Sequence, residues 1–312
     1  MSTDPIFDPK ATTVPVLRYV VALADYLHFG RAAAAAHVSQ PTLSSLIKQW
    51  EKRMGCQVFE RDAVGVRPTP LGERVIIAAR AALLALEEVE LAASRGKPPF
   101  YGPVRLGIIP TVAPFALPWM MAACEKKFPE VTLPIREDMT GILLKELDSG
   151  RIDIAVLALL DHMEARHHCE LLYDEPFMVV MPKGHHLAKQ KQIEPDALMS
   201  ERLLLLDEGH CLRDQALAVC DRRADHRLGA DYRATSLETL RKIVGTGVGL
   251  TIVPALAVNE DDNQVVYRPL AGDRSFRTIA MLWRMKDPRA TAYQELASVW
   301  RKSLPKNVIK PR

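Results

Sequence analysis

The sequence has no apolar run long enough to cross a bilayer; its apolar stretches, such as residues 203–206, fall far short of the about 20 residues needed. Its first five residues, Met1-Ser2-Thr3-Asp4-Pro5, are acidic and carry none of the apolar core of a secretory signal. A cytoplasmic location away from membranes is therefore expected. Cysteine is scarce and odd in number, with Cys56, Cys124, Cys169, Cys211 and Cys220 in 312 residues. That excludes a disulfide scaffold, and in a reducing compartment any disulfide that forms tends to be catalytic or sensory. Charge of one sign is also lacking. A formal net charge of +3 excludes a histone-like polycation, yet leaves room for a local nucleic-acid surface, because distribution matters more than the sum. The length exceeds one typical domain, so two or three are expected.

The N-terminal third is rich in helix signals. Leu17, Val20, Val21, Ala24 and Leu27 share one helical face, and an alanine run follows over residues 32–36. His37-Val38 interrupts it; Ser39 can then cap a new helix that tolerates Pro41 in its first turn and buries Leu43, Leu46, Ile47 and Trp50. Two short helices joined by a tight turn read as a helix-turn-helix, with the second helix entering a DNA major groove. Its candidate DNA contacts are Ser39, Gln40, Pro41, Thr42, Ser44, Ser45 and Lys48. Gln can pair with adenine through two hydrogen bonds, whereas Ser and Thr discriminate less. Residues 56–61 suggest a strand, and Arg61 and Arg67 flank a turn at Gly65, giving a hairpin wing with two phosphate-seeking arginines. An ordinary helical domain with a solvated charged face is the alternative. Pro70 opens a long helix in which Leu71, Val75, Ala78, Ala82, Ala85 and Val89 form a heptad-like seam, suited to pairing two subunits or to a core within one chain. It should end near residues 94–96, before Lys97-Pro98-Pro99.

This order, with the run Val38-Ser39-Gln40-Pro41-Thr42-Leu43-Ser44, resembles the LysR-type transcriptional regulators. The resemblance implies a winged helix-turn-helix DNA-binding domain over residues 1–69, a linker and dimerisation helix over 70–96, and a regulatory domain over 97–312. The regulatory domain would be α/β and two-lobed, of periplasmic-binding-protein type, with lobe I at 102–174 and 276–306 and lobe II at 175–275. The family usually assembles as a homotetramer, a dimer of dimers.

The remaining two thirds alternate strand and helix patterns. Strands are expected at 104–109, 131–135 and 152–157, helices at 115–128 and 140–149, and a second α/β lobe from residue 177, with a closing strand at 278–283 and helix at 290–302. The alternation predicts a parallel sheet with helices on both faces. Thr111 and Thr140 fall beyond strand ends near helix starts, where they could hold a small polar ligand or simply act as N-caps. The glycine run 245–249 lacks the context of a phosphate loop, and no Gly-x-Ser-x-Gly elbow is present. His162, His167, His168 and Cys169 match no strong zinc spacing, so no metal is expected, and no cofactor either. His185-His186 reads as a surface loop.

One run remains: Gly209-His210-Cys211-Leu212-Arg213-Asp214-Gln215, with Cys220 nine positions after Cys211. It sets a thiol among an imidazole, a guanidinium and a carboxylate, and positive charge lowers a thiol pKa. On its own it also reads as two unrelated core cysteines. Together with residues 106–112 and 233–240, the run resembles the peroxide-sensing branch of the LysR regulators. The resemblance implies a non-enzymatic regulator of promoter DNA that senses hydrogen peroxide, with Cys211 the peroxidatic and Cys220 the resolving cysteine. It places Thr111, Thr140, His210, Arg213 and Asp214 around the peroxide and assigns Arg277 to stabilising the thiolate. A thiol reductant system and RNA polymerase are the further partners it implies. Arg213 and His210 are expected to lower the Cys211 pKa, with Asp214 orienting peroxide or balancing Arg213. If 212–219 is helical, the two cysteine Cα atoms lie roughly 13 Å apart, whereas a disulfide needs about 5.5–6 Å, so oxidation would have to rearrange the segment. The stretch 1–14 and the wing residues 62–65 depart from the family pattern. A metabolite-responsive LysR regulator with incidental cysteines is the alternative function, and a thiol peroxidase, which would leave the helix-turn-helix unused, a further one.

Overall fold

The computed structural model describes residues 12–311 apart from 63–64, 94–99, 101, 161–162, 164–165, 220–232 and 274. The chain divides into two compact units, Met1–Lys97 and Pro98–Arg312.

The first unit contains α1 (Val14–Tyr26), α2 (Phe29–Ala35), α3 (Gln40–Met54), β1 (Phe59–Asp62), β2 (Gly65–Pro68) and α4 (Pro70–Ala93). The buried face of α1 is Val16, Val20 and Leu23, in one core with Ala32, Leu43, Ile47, Trp50, Val58 and Ile76; of the expected face only Val20 is buried, while Leu17, Val21 and Ala24 are half-buried and Leu27 is exposed. Leu46 is only half-buried, and the hairpin begins at Phe59 rather than at Cys56. Between α2 and α3 the chain turns through His37, whose φ of 56° lies in the left-handed region. Ser39 caps α3 by accepting the Thr42 N–H, and Gly55 closes that helix at φ 64°. β1 and β2 pair antiparallel as the expected hairpin. Gly72 sits where a Cβ would lie 2.0 Å from the Val58 carbonyl oxygen, so only glycine lets α4 start against the hairpin. Two faces of α4 differ. Ile76, Ala79 and Arg80 are buried, with Arg80 bonded to Asp25 of α1, while Leu71, Ala78, Ala82, Ala85 and Val89 are exposed.

The second unit runs β3 (Leu106–Ile108), α5 (Ala113–Lys127), β4 (Ile135–Glu137), α6 (Thr140–Asp148), β5 (Ile154–Ala158), β6 (His167–Pro182), β7 (Leu205–Leu206), α7 (Cys211–Val219), β8 (Arg233–Ala234), α8 (Leu237–Gly245), β9 (Thr251–Pro254), β10 (Val265–Pro269), β11 (Phe276–Arg284) and α9 (Ala290–Lys302). The parallel sheet expected from alternation is only part of the result. β3 pairs parallel with β4 and β5, but β11 is antiparallel to both β5 and β6, and β6 antiparallel to β9 and β10. The cause is β6, 16 residues long, whose first part pairs with β11 and whose last part pairs with β9 and β10. One strand therefore serves two lobes. The strand expected at 131–135 starts at Ile135 instead.

Each lobe has its own core. Leu106, Ile108, Val156, Tyr173, Met281 and Trp300 belong to the first, and Val179, Leu204, Leu240, Val244 and Ile252 to the second. Asp153 anchors the first lobe. Its carboxylate accepts from the Arg105 backbone N–H at 2.8 Å, from Arg105 Nε and Nη2 at 2.9 and 2.8 Å, and from Arg289 Nη2 at 2.7 Å. Burial pushes this carboxyl up, but the bonds to Arg105 and the charges of Arg105 and Arg289 prevail and hold it at about 2. No helix among the described residues is long and apolar enough to cross a membrane.

Candidate peroxide site and DNA-reading surface

Gly209 takes a φ of 95°, a conformation that favours glycine, and directs the chain into α7 with Cys211 as its first helical residue. A thiol there faces the free N–H groups of the first helical turn, which favour its anion. The side chains of this one segment divide between the lobes. Leu212, Ala216 and Leu217 pack in the second core, whereas Cys211 packs in the first. Among the described residues it is the one buried member of the first core drawn from residues 177–275.

Cys211 lines a small recess with Ile109, Thr111, Met139, Thr140 and His210. The recess encloses ≈ 160 Å³ including its open mouth, and a water-sized molecule enters only if a wall moves. Neither threonine is an N-cap. Val112 precedes α5 and Met139 precedes α6, and neither cap position makes a side-chain bond. Thr111 Oγ1 instead accepts from Arg277 Nη1 at 2.8 Å, and its carbonyl oxygen from Nη2 at 2.9 Å. Thr140 Oγ1 and His210 Nε2 are buried and bond to no nitrogen or oxygen among the described residues, the Thr140 hydroxyl having only the Cys211 sulfur to support. Buried polar atoms left unpaired are uncommon and costly.

Burial pushes the Cys211 thiol up, opposed by the Arg277 charge, the Thr140 hydroxyl, and the backbone N–H groups of Leu212 and of Cys211 itself. Burial also pushes His210 down, against the pull of Asp207, so its imidazole is neutral near pH 7. The expectation that Arg213 and His210 lower the thiol pKa is thus corrected: the cation that acts is Arg277. Arg213 lies two residues into α7, about 200° around the helix from Cys211. It is half-buried and donates from Nη1 to the Leu206 carbonyl at 3.0 Å. Asp214 is exposed to solvent. Neither lines the recess. Cys220 and the 1–11 part of the N-terminal stretch lie outside the described residues, as do wing residues 63–64.

Glu175, which the sequence reading missed, completes the site. It accepts from Arg277 Nε at 2.9 Å and from the Leu256 backbone N–H at 3.0 Å. The signal was present, since Asp174-Glu175 stands between the apolar runs 171–173 and 177–181 and charges buried in a strand must be paired.

On the first unit, Gln40, Pro41, Thr42, Ser45 and Lys48 are exposed along α3. Ser39 is occupied as a cap and also bonds Thr42 Oγ1 at 2.7 Å. Ser44 accepts from Arg61 Nη2 at 3.0 Å, and the Arg61 guanidinium lies 3.9 Å above the Phe29 ring. Arg67 faces Glu60 across the hairpin at 4.0 Å. Two residues expected to contact DNA separately, Ser44 and Arg61, are thus bonded to each other.

Among the described residues one group has three donors of metal-binding type within reach of one another: His185, His186 and Glu201. Its geometry is that of hydrogen bonds. His185 Nδ1 accepts from the Leu187 N–H, which places the imidazole proton on Nε2, 3.3 Å from the carboxylate and unavailable to a metal.

Residues 16–73 match the family model of the bacterial regulatory helix-turn-helix protein, lysR family, and residues 99–305 match the LysR substrate binding domain. The chain is 38% identical over 294 residues to the hydrogen peroxide-inducible genes activator of Pectobacterium carotovorum, covering 92% of this chain and 95% of that one. It is 38% identical over 291 residues to the DNA-binding transcriptional dual regulator OxyR of Escherichia coli, covering 91% and 93%. Full-length Pseudomonas aeruginosa OxyR bearing a cysteine-to-aspartate substitution superposes with a TM-score of 0.82 at 36% identity, covering 94% and 98% of the two chains. A hydrogen-peroxide-bound cysteine-to-serine mutant of Corynebacterium glutamicum OxyR gives 0.62 at 34% identity, covering 95% and 94%.

Proposed function

The chain belongs to the LysR family of transcriptional regulators and is a hydrogen-peroxide-sensing, DNA-binding member of it; we propose that Cys211 is its sensing thiol and Cys220 the thiol that resolves it. The observation that carries this reading is the recess itself. It joins a buried thiol at a helix start to two unpaired polar atoms, Thr140 Oγ1 and His210 Nε2. Those atoms are what a peroxide molecule, which both donates and accepts hydrogen bonds, would satisfy. That no water-sized molecule enters without movement of a wall also argues against an organic effector there, since pockets for such ligands run to roughly 300–1,000 Å³.

In the reaction, the Cys211 thiolate attacks one peroxide oxygen and the O–O bond breaks. The displaced hydroxide takes up a proton and leaves as water, and Cys211 becomes a sulfenic acid. The Cys220 thiol then attacks that sulfur, the S–O bond breaks, and a second water leaves as the disulfide forms. Thr140 and His210 orient the peroxide, Arg277 supports the thiolate, and Thr111 fixes Arg277. Arg213 and Asp214 serve α7 rather than the oxygen.

Along α7, Val219 lies about 12 Å from Cys211 at about 1.5 Å per residue. One further peptide spans 3.8 Å, so Cys220 comes no nearer than about 8 Å while α7 is intact, beyond the roughly 7 Å limit for a disulfide. Disulfide formation therefore unwinds α7 and withdraws Cys211 from the first core. The two lobes lose a shared residue, and the regulatory unit changes conformation.

The remaining parts of the reading are a DNA-binding domain over 1–69, contacts to promoter DNA through exposed α3 residues and Arg67, and pairing of subunits along the exposed α4 seam. A homotetramer in the cytoplasm, re-reduced by a cellular thiol system and acting on RNA polymerase, completes it. Peroxide titration of the full-length protein with mass mapping of the cysteines, alongside promoter footprinting of both forms, tests it. A Cys211–Cys220 linkage that appears together with an altered footprint supports it. No linkage and an unchanged footprint would take the sensing role away from Cys211 and Cys220.

A further inference from the structure

The Arg277–Glu175 pair does more than fill space behind the recess. The two residues stand opposite each other in the antiparallel register of β11 and β6. Both are at most 2% exposed, and Arg277 Nη2 lies 2.8 Å from Glu175 Oε2, in addition to the Nε bond. The other carboxylate oxygen, Oε1, accepts the backbone N–H of Leu256, in the short turn Ala255–Ala257 that follows β9. Glu175 is two residues before β6 begins to pair with β9. One buried carboxylate thus grips the guanidinium that supports Cys211 and the strand end at the crossing between lobes.

We propose that Glu175, acting through Arg277, sets how readily Cys211 reacts by compensating the charge of that guanidinium. The inference rests on Cys211 being the sensing thiol. A guanidinium already compensated at 2.8–2.9 Å presents a nearly neutral pair to the sulfur. Ionising Cys211 beside that pair leaves three buried groups with a net charge of −1. With a neutral residue at 175 the same ionisation leaves them balanced, and burial penalises net charge. The other titratable groups at the site do not offset this. His210 is neutral near pH 7, and burial and then the Glu175 charge push the Tyr173 phenol well up, leaving it neutral. Glu175 therefore restrains the thiol in the resting protein. Arg277 keeps its two bonds to Thr111 in either case, so it stays in place when Glu175 is neutralised.

The test follows alkylation of Cys211 by iodoacetamide against pH in the reduced full-length protein, read by peptide mass, for the wild type, Glu175→Gln and Glu175→Asp. The expected inflexion for Glu175→Gln lies about one pH unit below the wild type, with oxidation by peroxide at pH 7 up to about tenfold faster. Glu175→Asp, whose shorter carboxylate grips Arg277 less well, moves the same way by less. Where Glu175→Gln does not fold, Glu175→Asp decides alone. An unchanged or raised inflexion overturns the proposal, as does a lower melting temperature with an unmoved inflexion, which would mark a purely structural residue. Failure of the underlying reading looks different: Cys211 of the wild type would then resist peroxide, whatever its alkylation profile.

Discussion

The two units of this chain handle polar groups in opposite ways. In the first, the groups that would read DNA are exposed on α3, and the polar groups around them are already paired, as with the Ser39 cap and the Arg61–Ser44 bond. In the second, the groups that would sense peroxide are buried, and two find no nitrogen or oxygen partner among the described residues. A surface that must meet a large, charged duplex needs polar groups already facing water on a rigid scaffold. A site for a molecule of four atoms needs groups deprived of water, so that the small ligand is what satisfies them.

The largest expected effect sharpens that contrast at the sulfur. Cys211→Ser abolishes the peroxide-dependent change in the promoter footprint while leaving DNA binding by the reduced form intact. The next separates scaffold from sensor. Asp153→Asn removes the carboxylate that ties half-exposed Arg105 to buried Arg289, which keeps only Asp287, and destabilises the second unit by up to about 3 kcal/mol, measured by denaturant unfolding. Because the Asp153 carboxyl is held at about 2 against an ordinary 3.8, its contribution is present above pH 4 and is lost between pH 4 and 2. In the reduced protein, the rate of Cys211 oxidation should rise about tenfold per pH unit from pH 6 to 8, because burial keeps the thiol pKa above its ordinary 9.0. A flat profile would mean a thiol already ionised.

Thr140→Val is the sharpest attempt to break the comparison. Replacing an unpaired buried hydroxyl by a methyl leaves stability unchanged or raises it by about 0–1 kcal/mol, yet should slow oxidation of Cys211 about tenfold through the lost support of the thiolate. Loss of stability together with sensing would show that the hydroxyl is structural. The smallest effect lies in the first unit. Ser39→Ala removes the α3 cap and costs about 1 kcal/mol in the thermal unfolding of that unit, with peroxide oxidation of Cys211 unaffected.

The same contrast explains what the sequence made legible. The first unit depends on neighbours in sequence, so periodicity, an alanine run, Ser39 and Pro41 are enough to place its helices to within a few residues. The long helix from Pro70 and the closing helix from Ala290 were readable for the same reason. The second unit depends on distant contacts. Antiparallel pairing of β6 with β11 joins residues roughly a hundred positions apart, and no local pattern reports strand direction. Arg213 and Asp214 were attractive because they adjoin Cys211 in sequence, but helical geometry carries Arg213 to the other side of α7 and leaves Asp214 in solvent. Glu175 went unread because its partner, Arg277, is 102 residues away.

The central claim is that sulfur chemistry at Cys211 is inseparable from the loss of α7. Hydrogen exchange of the amides of residues 212–219, followed in the full-length protein as peroxide is added and the cysteines are mapped by mass, tests it most directly. The expected result is that protection of α7 disappears in step with formation of the Cys211–Cys220 bond and returns on reduction. A Cys211–Cys220 disulfide formed while α7 remains protected would contradict the account.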